Sequence, residues 1–161
     1  MSIDFKSLEQ RVQQLLPPAK EAGQSLQLIS DLLCRQVPHY DWFGFYFAVP
    51  EKRLLVLGPF CGSPTEHTQI PYGRGICGQA ADSLDTFTVA DVSQANNYLA
   101  CSVETKAEIV VPVFLNGEFI AEIDIDSHTR DPFTEHDEPF LRRVGEMVAP
   151  HIPEIFDPGK H

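Results

Sequence analysis

The sequence predicts an α+β fold in which one antiparallel sheet carries helices on one side. Three observations predict it. Helical apolar stripes mark the two ends of the chain, and alternating or aromatic-rich β segments fill the middle. Asn116-Gly117 then joins the two longest of those segments. Both residues tolerate the positive φ that the centre of a type I′ turn needs, so residues 107–126 read as a hairpin.

The elements follow in order. Leu8, Val12, Leu15 and Leu16 recur at helical spacing over residues 5–16, until Pro17-Pro18 breaks the run. Leu26, Ile29, Leu33 and Val37 mark a second helix over 24–37, with Cys34 beside the stripe as a buried structural thiol. Residues 42–49 form an aromatic-rich strand, and 53–60 pair with it across Pro50-Glu51-Lys52. The Gly and Pro content of 61–75 makes an irregular loop with a short extended piece around Gln69-Ile70. A short helix over 76–83 and a strand over 86–90 lead into a long polar connection, 91–106, of the kind that is usually functional. After the hairpin, Thr134 starts a last helix, with Asp137 three residues on as a capping-box variant. Phe140, Leu141, Val144, Met147 and Val148 are its buried stripe, and Pro150 ends it.

Composition bounds the function. The 161 residues fit one domain with a real core. A formal net charge of −11 argues against nucleic acid and anionic membrane surfaces as partners, since both need a basic footprint. No apolar run reaches the length of a membrane span, and the polar start of the chain is not a signal peptide, so the expected location is cytoplasmic. The histidines at 39, 67, 128, 136, 151 and 161 are scattered without ligand spacing, and no Cys-x-x-Cys is present. Neither a metal nor a cofactor is expected.

The chemistry concentrates on one strand. In Glu118-Phe119-Ile120-Ala121-Glu122-Ile123-Asp124-Ile125-Asp126, strand periodicity puts Phe119, Ala121, Ile123 and Ile125 on one face and Glu122, Asp124 and Asp126 on the other. By itself such an acid row reads as the wet side of a sheet. A fourth acid, Glu108, lies on the partner strand. With a clean two-residue turn it falls opposite Ile125, on the apolar face, whereas a one-residue bulge beside Pro112 flips it onto the acid face. Among the cysteines, Cys77 lies just inside a helix N-terminus next to Arg74, and both features favour a thiolate. Cys101 lies in the long connection, where a reactive thiol is accessible. Cys61 stands at a strand end from which it could reach the same side.

Several segments together carry a resemblance: Trp42-Phe43-Gly44-Phe45-Tyr46, Leu57-Gly58-Pro59-Phe60, Gly73-Arg74-Gly75-Ile76-Cys77-Gly78, Ala100-Cys101, Glu108-Ile109-Val110-Val111-Pro112 and Ile123-Asp124-Ile125-Asp126-Ser127. In this order they resemble the GAF-domain free methionine-R-sulfoxide reductase family. The resemblance implies a GAF fold over residues 1–161, with helices in 1–37, sheet and pocket loops in 42–126, a final helix in 134–149, and loops covering a ligand pocket. It implies Cys101 as the nucleophile on the sulfur of free methionine sulfoxide. Glu108, Asp124 and Asp126 would hold the substrate ammonium, and Glu108 and Asp126 would supply the proton as oxygen departs. Trp42 and Tyr46 would wall the methyl-sulfur end.

The acid cluster fits that role on physical grounds, because like charges raise the pKa of a group that must donate a proton. A sulfenic acid on Cys101 would condense with a second thiol, and a dithiol reductant such as thioredoxin would restore both. The sequence departs from the family at His67, where many members carry a resolving cysteine. Resolution then falls to Cys77, to Cys61 as a non-standard substitute, or to an external thiol; His67 itself lowers the Cys101 pKa only if it lies near. GAF domains often pair through terminal helices, so a homodimer is compatible. The competing expectation is a non-catalytic, small-ligand-binding GAF module; the lack of an output domain in the sequence weighs against it.

Overall fold

The computed structural model describes residues 2–95, 98 and 103–161. Cys101, the proposed nucleophile, lies outside the described residues. Helix α1 (Phe5–Gln13) opens on Asp4, whose side chain accepts from the Ser7 N–H at 3.0 Å. Helix α2 (Ala22–Gln36) follows, and β1 (Trp42–Val49) and β2 (Leu54–Cys61) form the first antiparallel pair. Then come β3 (Gln69–Pro71), α3 (Gly75–Ser83), β4 (Phe87–Val89), β5 (Ala107–Leu115), β6 (Glu118–Ser127) and α4 (Asp137–Val148). The six strands form one sheet in the order β3-β2-β1-β6-β5-β4, and every pairing is antiparallel. The predicted fold class holds.

The sheet has two covered faces. On one, Phe43, Phe45, Phe47, Ile109, Val111, Ala121, Ile123 and Ile125 meet the stripes of α1, α2 and α4 in the main core. On the other, Trp42, Tyr46 and Val110 meet Ile70 of β3 and Ile76, Cys77, Ala80 and Ala81 of α3 in a smaller cluster. The acid row therefore faces α3 and the loops, not open water.

The β5–β6 hairpin turns on Asn116 and Gly117, at φ 53° and 80°, as a two-residue turn of this type requires. A one-residue shift interrupts the ladder: Val113 pairs with Ala121 and Phe114 with Phe119, so Ile120 has no partner. The bulge that the sequence expected near Pro112 sits instead on β6, and its effect is the expected one: Glu108 pairs with Asp126 and joins the acids. The bulge also corrects one assignment. Phe119 packs with the acid-face cluster against Tyr72, while Ile120 packs against the main core.

The last helix begins at Asp137, three residues later than its capping signal. The Asp137 carboxylate turns back to accept from the Thr134 N–H at 2.7 Å, which leaves 134–136 as a turn. The same buried carboxylate accepts from the Tyr40 hydroxyl at 2.6 Å and lies 2.8 Å from His39 Nε2. Burial pushes its pKa up, but the hydrogen bonds from His39, Tyr40 and Thr134 outweigh that and hold it below the usual range.

Candidate active site

Strand register builds the site. Trp42, Gly44 and Tyr46 of β1 stand opposite Asp126, Asp124 and Glu122 of β6. Across β6, Asp126 faces Glu108 and Asp124 faces Val110 of β5. Directly opposed residues share a face, so both aromatics and all four acids project to the same side. Gly44 is required there, because a Cβ on it would lie 2.4 Å from the Trp42 ring. The indole is held by stacking on Phe60 at 5.3 Å and by donating from Nε1 to the Ser63 carbonyl at 3.0 Å. The Tyr46 hydroxyl donates to the His67 carbonyl at 2.8 Å, tying β1 to the loop above it.

The acids are almost wholly buried, Glu108 at 3 % exposure, Asp124 and Asp126 at 1 % and Glu122 at 0 %. For Glu122 the wet face that the acid row by itself suggested is corrected: Tyr46 beside it and the α3 layer above exclude water from that end of the row. None of the ion pairs among the described residues engages Glu108, Glu122 or Asp124. Burial, then the charges of Asp124 and Asp126, pushes Glu108 well above the ordinary carboxylate pKa. Burial and Asp124 do the same to Glu122, against a lowering hydrogen bond from Cys77. Burial also raises Asp124, against lowering hydrogen bonds from Glu108 and Cys77. All three shifts favour the protonated form, the direction that a proton donor needs.

Cys77 stands in the first turn of α3, where Gly78 lets the helix pack closely on Pro71 of β3, since a Cβ there would lie 2.6 Å from the Pro71 carbonyl. Its thiol donates toward Glu108 Oε2 at 3.9 Å. One donor atom each from Cys77, Glu108 and Asp124 lie within 4.8 Å of one another. The expectation of no metal rested on histidine spacing; the fold gathers a sulfur and two carboxylates that no sequence spacing reveals, and this set could hold an ion. Tyr46, His67 and Arg74 close over Cys77, Glu108 and Asp124 around a cavity of ≈ 10 Å³, about the room of one water. Larger hollows of ≈ 190 Å³ and ≈ 300 Å³ lie on the other side of the sheet and at the hairpin tip, away from the acids, so size alone would misplace the site.

Cys61 is the second correction. It pairs with Phe43, a main-core residue, and so points to the helix side of the sheet. There it meets Cys34, which is half-buried and whose thiol donates to the Cys61 carbonyl at 3.5 Å. Cys61 is therefore separated by the sheet from Cys77 and the acids. The sequence missed this because the register of β2 slips between Phe60 and Leu57 relative to β1, and that slip decides which way the strand end faces.

Comparisons with known proteins agree with this geometry. A family model for the GAF domain matches residues 21–152. The chain is 36 % identical over 115 residues to a free methionine-R-sulfoxide reductase of Escherichia coli, covering 71 % of this chain and 68 % of that protein. The solved free methionine-R-sulfoxide reductase of Neisseria meningitidis, in complex with its substrate, superposes with a TM-score of 0.86 at 29 % identity, covering 94 % of this chain and 89 % of that one. The type II enzyme of Thermoplasma acidophilum superposes with a TM-score of 0.79 at 36 % identity, over 92 % of this chain and 97 % of that one. No helix among the described residues is long and apolar enough to cross a membrane. With its sheet register, its buried acid row under α3 and these relatives, the chain belongs to the GAF-domain family of free methionine-R-sulfoxide reductases.

Proposed function

We propose that this protein reduces free L-methionine (R)-sulfoxide to methionine, with residues 1–161 acting as one GAF domain. The observation that carries this reading is the buried row of Glu108, Asp124 and Asp126 beneath Cys77, walled by Trp42 and Tyr46. A zwitterionic amino acid needs carboxylates for its ammonium, and a departing sulfoxide oxygen needs a proton. A cluster of buried carboxylates whose pKa values are pushed upward by burial and by one another suits both tasks.

The Cys101 thiolate attacks the sulfoxide sulfur, Glu108 or Asp126 protonates the oxygen, and the oxygen passes to Cys101 as a sulfenic acid while methionine leaves. The Cys77 thiol condenses with that sulfenic acid, forming a disulfide and releasing water. A dithiol of thioredoxin type then takes over the disulfide by exchange, returning both thiols. The role of Cys101 rests on the family resemblance; that of Cys77 is supported by its place over Glu108. Because the enclosed space is only ≈ 10 Å³, ligand entry requires the cover from His67 to Cys77 to move off the acids. A cytoplasmic location and pairing into a homodimer complete the proposal.

The test is direct. Full-length protein with dithiothreitol consumes the R epimer of free methionine sulfoxide and spares the S epimer, and Cys101→Ser abolishes turnover while leaving the fold intact. Binding without turnover, or equal activity in that variant, would establish the ligand-binding module instead.

A further inference from the structure

We propose that Cys34 and Cys61 form a second oxidisable thiol pair, on the face of the sheet opposite the acids, which closes to a disulfide when a hydroperoxide oxidises Cys61. This pair is independent of the proposed reductase chemistry.

The geometry carries it. Cys34 lies in the last turns of α2 and Cys61 is the final residue of β2. The Cys34 thiol donates to the Cys61 carbonyl at 3.5 Å and toward the Asp41 carbonyl at 3.8 Å, which places it beside Cys61. Bonding needs the two sulfurs to close to about 2.05 Å, and rotation about the side-chain torsions of both cysteines moves them. Both residues are half-buried, so a small peroxide reaches them. Burial, the hydrogen bond and charge of Cys61, and then Asp41 and Asp31 push the Cys34 thiol up to about 12. Cys34 therefore stays protonated at neutral pH and acts second.

In the first step the Cys61 thiol and a hydroperoxide give a sulfenic acid and an alcohol or water. In the second, the Cys34 thiol displaces water from it and the sulfur–sulfur bond forms. The link would tie α2 to the strand end between Phe60 and Ser63, the two residues that hold Trp42. Oxidation on the helix side would thus brace the aromatic wall of the pocket from behind.

Tryptic mapping decides the matter. Cleavage after Lys20, Arg35, Lys52, Arg53, Arg74 and Lys106 places Cys34 in peptide 21–35 and Cys61 in 54–74, while Cys77 and Cys101 share peptide 75–106. A Cys34–Cys61 bond therefore appears as two joined peptides, and a Cys77–Cys101 bond as a loop within one. Reduced protein is treated with hydrogen peroxide, blocked with N-ethylmaleimide and digested without reductant. The expected map of the wild-type protein contains 21–35 joined to 54–74, and the melting temperature rises by roughly 5 °C or more. In Cys34→Ser the joined pair is lost and Cys61 retains the added oxygen. The proposal is overturned if Cys34 is fully blocked while Cys61 is oxidised alone, if both are fully blocked, or if 54–74 is joined to 75–106.

Discussion

The two faces of β6 are buried equally and do opposite things. Ala121, Ile123 and Ile125 meet three helices, and Glu122, Asp124 and Asp126, interleaved with them, meet β1 aromatics and α3. Apolar burial is favourable on the first face at about 25 cal/mol per Å² removed from water. On the second, carboxylates are taken out of water with no basic partner for Glu122 or Asp124 in the ion pairs among the described residues, and burial shifts both pKa values upward, favouring the uncharged form. One strand thus holds the fold together with alternate residues and buries a row of carboxylates with the rest.

Substitutions of neighbours should separate these two roles. The largest expected effect is Asp124→Asn, which removes a carboxylate from the proposed ammonium site and should lower kcat/KM for free methionine (R)-sulfoxide by about 100-fold or more. Its urea-unfolding midpoint at pH 8 should equal or exceed that of the native protein. A collapse of stability would mean that the acid face is structural after all. The neighbour Ile123→Ala should do the reverse, costing about 2–4 kcal/mol of stability through a core cavity while the folded fraction keeps its KM.

The next effect is a pH dependence. Glu122 has its folded pKa raised, so the folded state binds its proton more tightly than the unfolded state does. Its penalty is absent below the unfolded carboxylate pKa and grows as pH rises toward the folded one. Glu122→Gln should therefore stabilise the protein at pH 8 and not at pH 4, as read from melting temperatures across that range. Asp137 behaves oppositely. Its depressed pKa contributes stability above the unfolded value that is lost as pH falls through the folded one. An equal gain for Glu122→Gln at both pH values would break the contrast between the faces.

The smallest effect is Tyr46→Phe. It removes the hydroxyl that donates to the His67 carbonyl and should cost about 1 kcal/mol. It should also raise KM more than it lowers kcat, since the lost bond ties the pocket wall to the cover.

Much of this arrangement was legible in the amino-acid order. The helical stripes of α1, α2 and α4, the Asn116-Gly117 turn and the alternation along β6 are local patterns, and each reports its own element. Even the bulge was foreshadowed, because a clean turn would have set Glu108 opposite Ile125 on the apolar face. Three features were not. Local spacing does not say where the bulge falls, and it falls at Ile120, which sends Phe119 to the acid face. It does not say which face of a strand end Cys61 takes, and a slip in β2 turns that residue toward Cys34.

Nor does it say whether Glu122 is wet. The sequence by itself determined which residues alternate and which types of group line up. The tertiary structure alone decided which face is covered, because cover comes from segments distant in sequence, Tyr46 and α3, and because a one-residue slip in a period-two strand reverses every side chain beyond it.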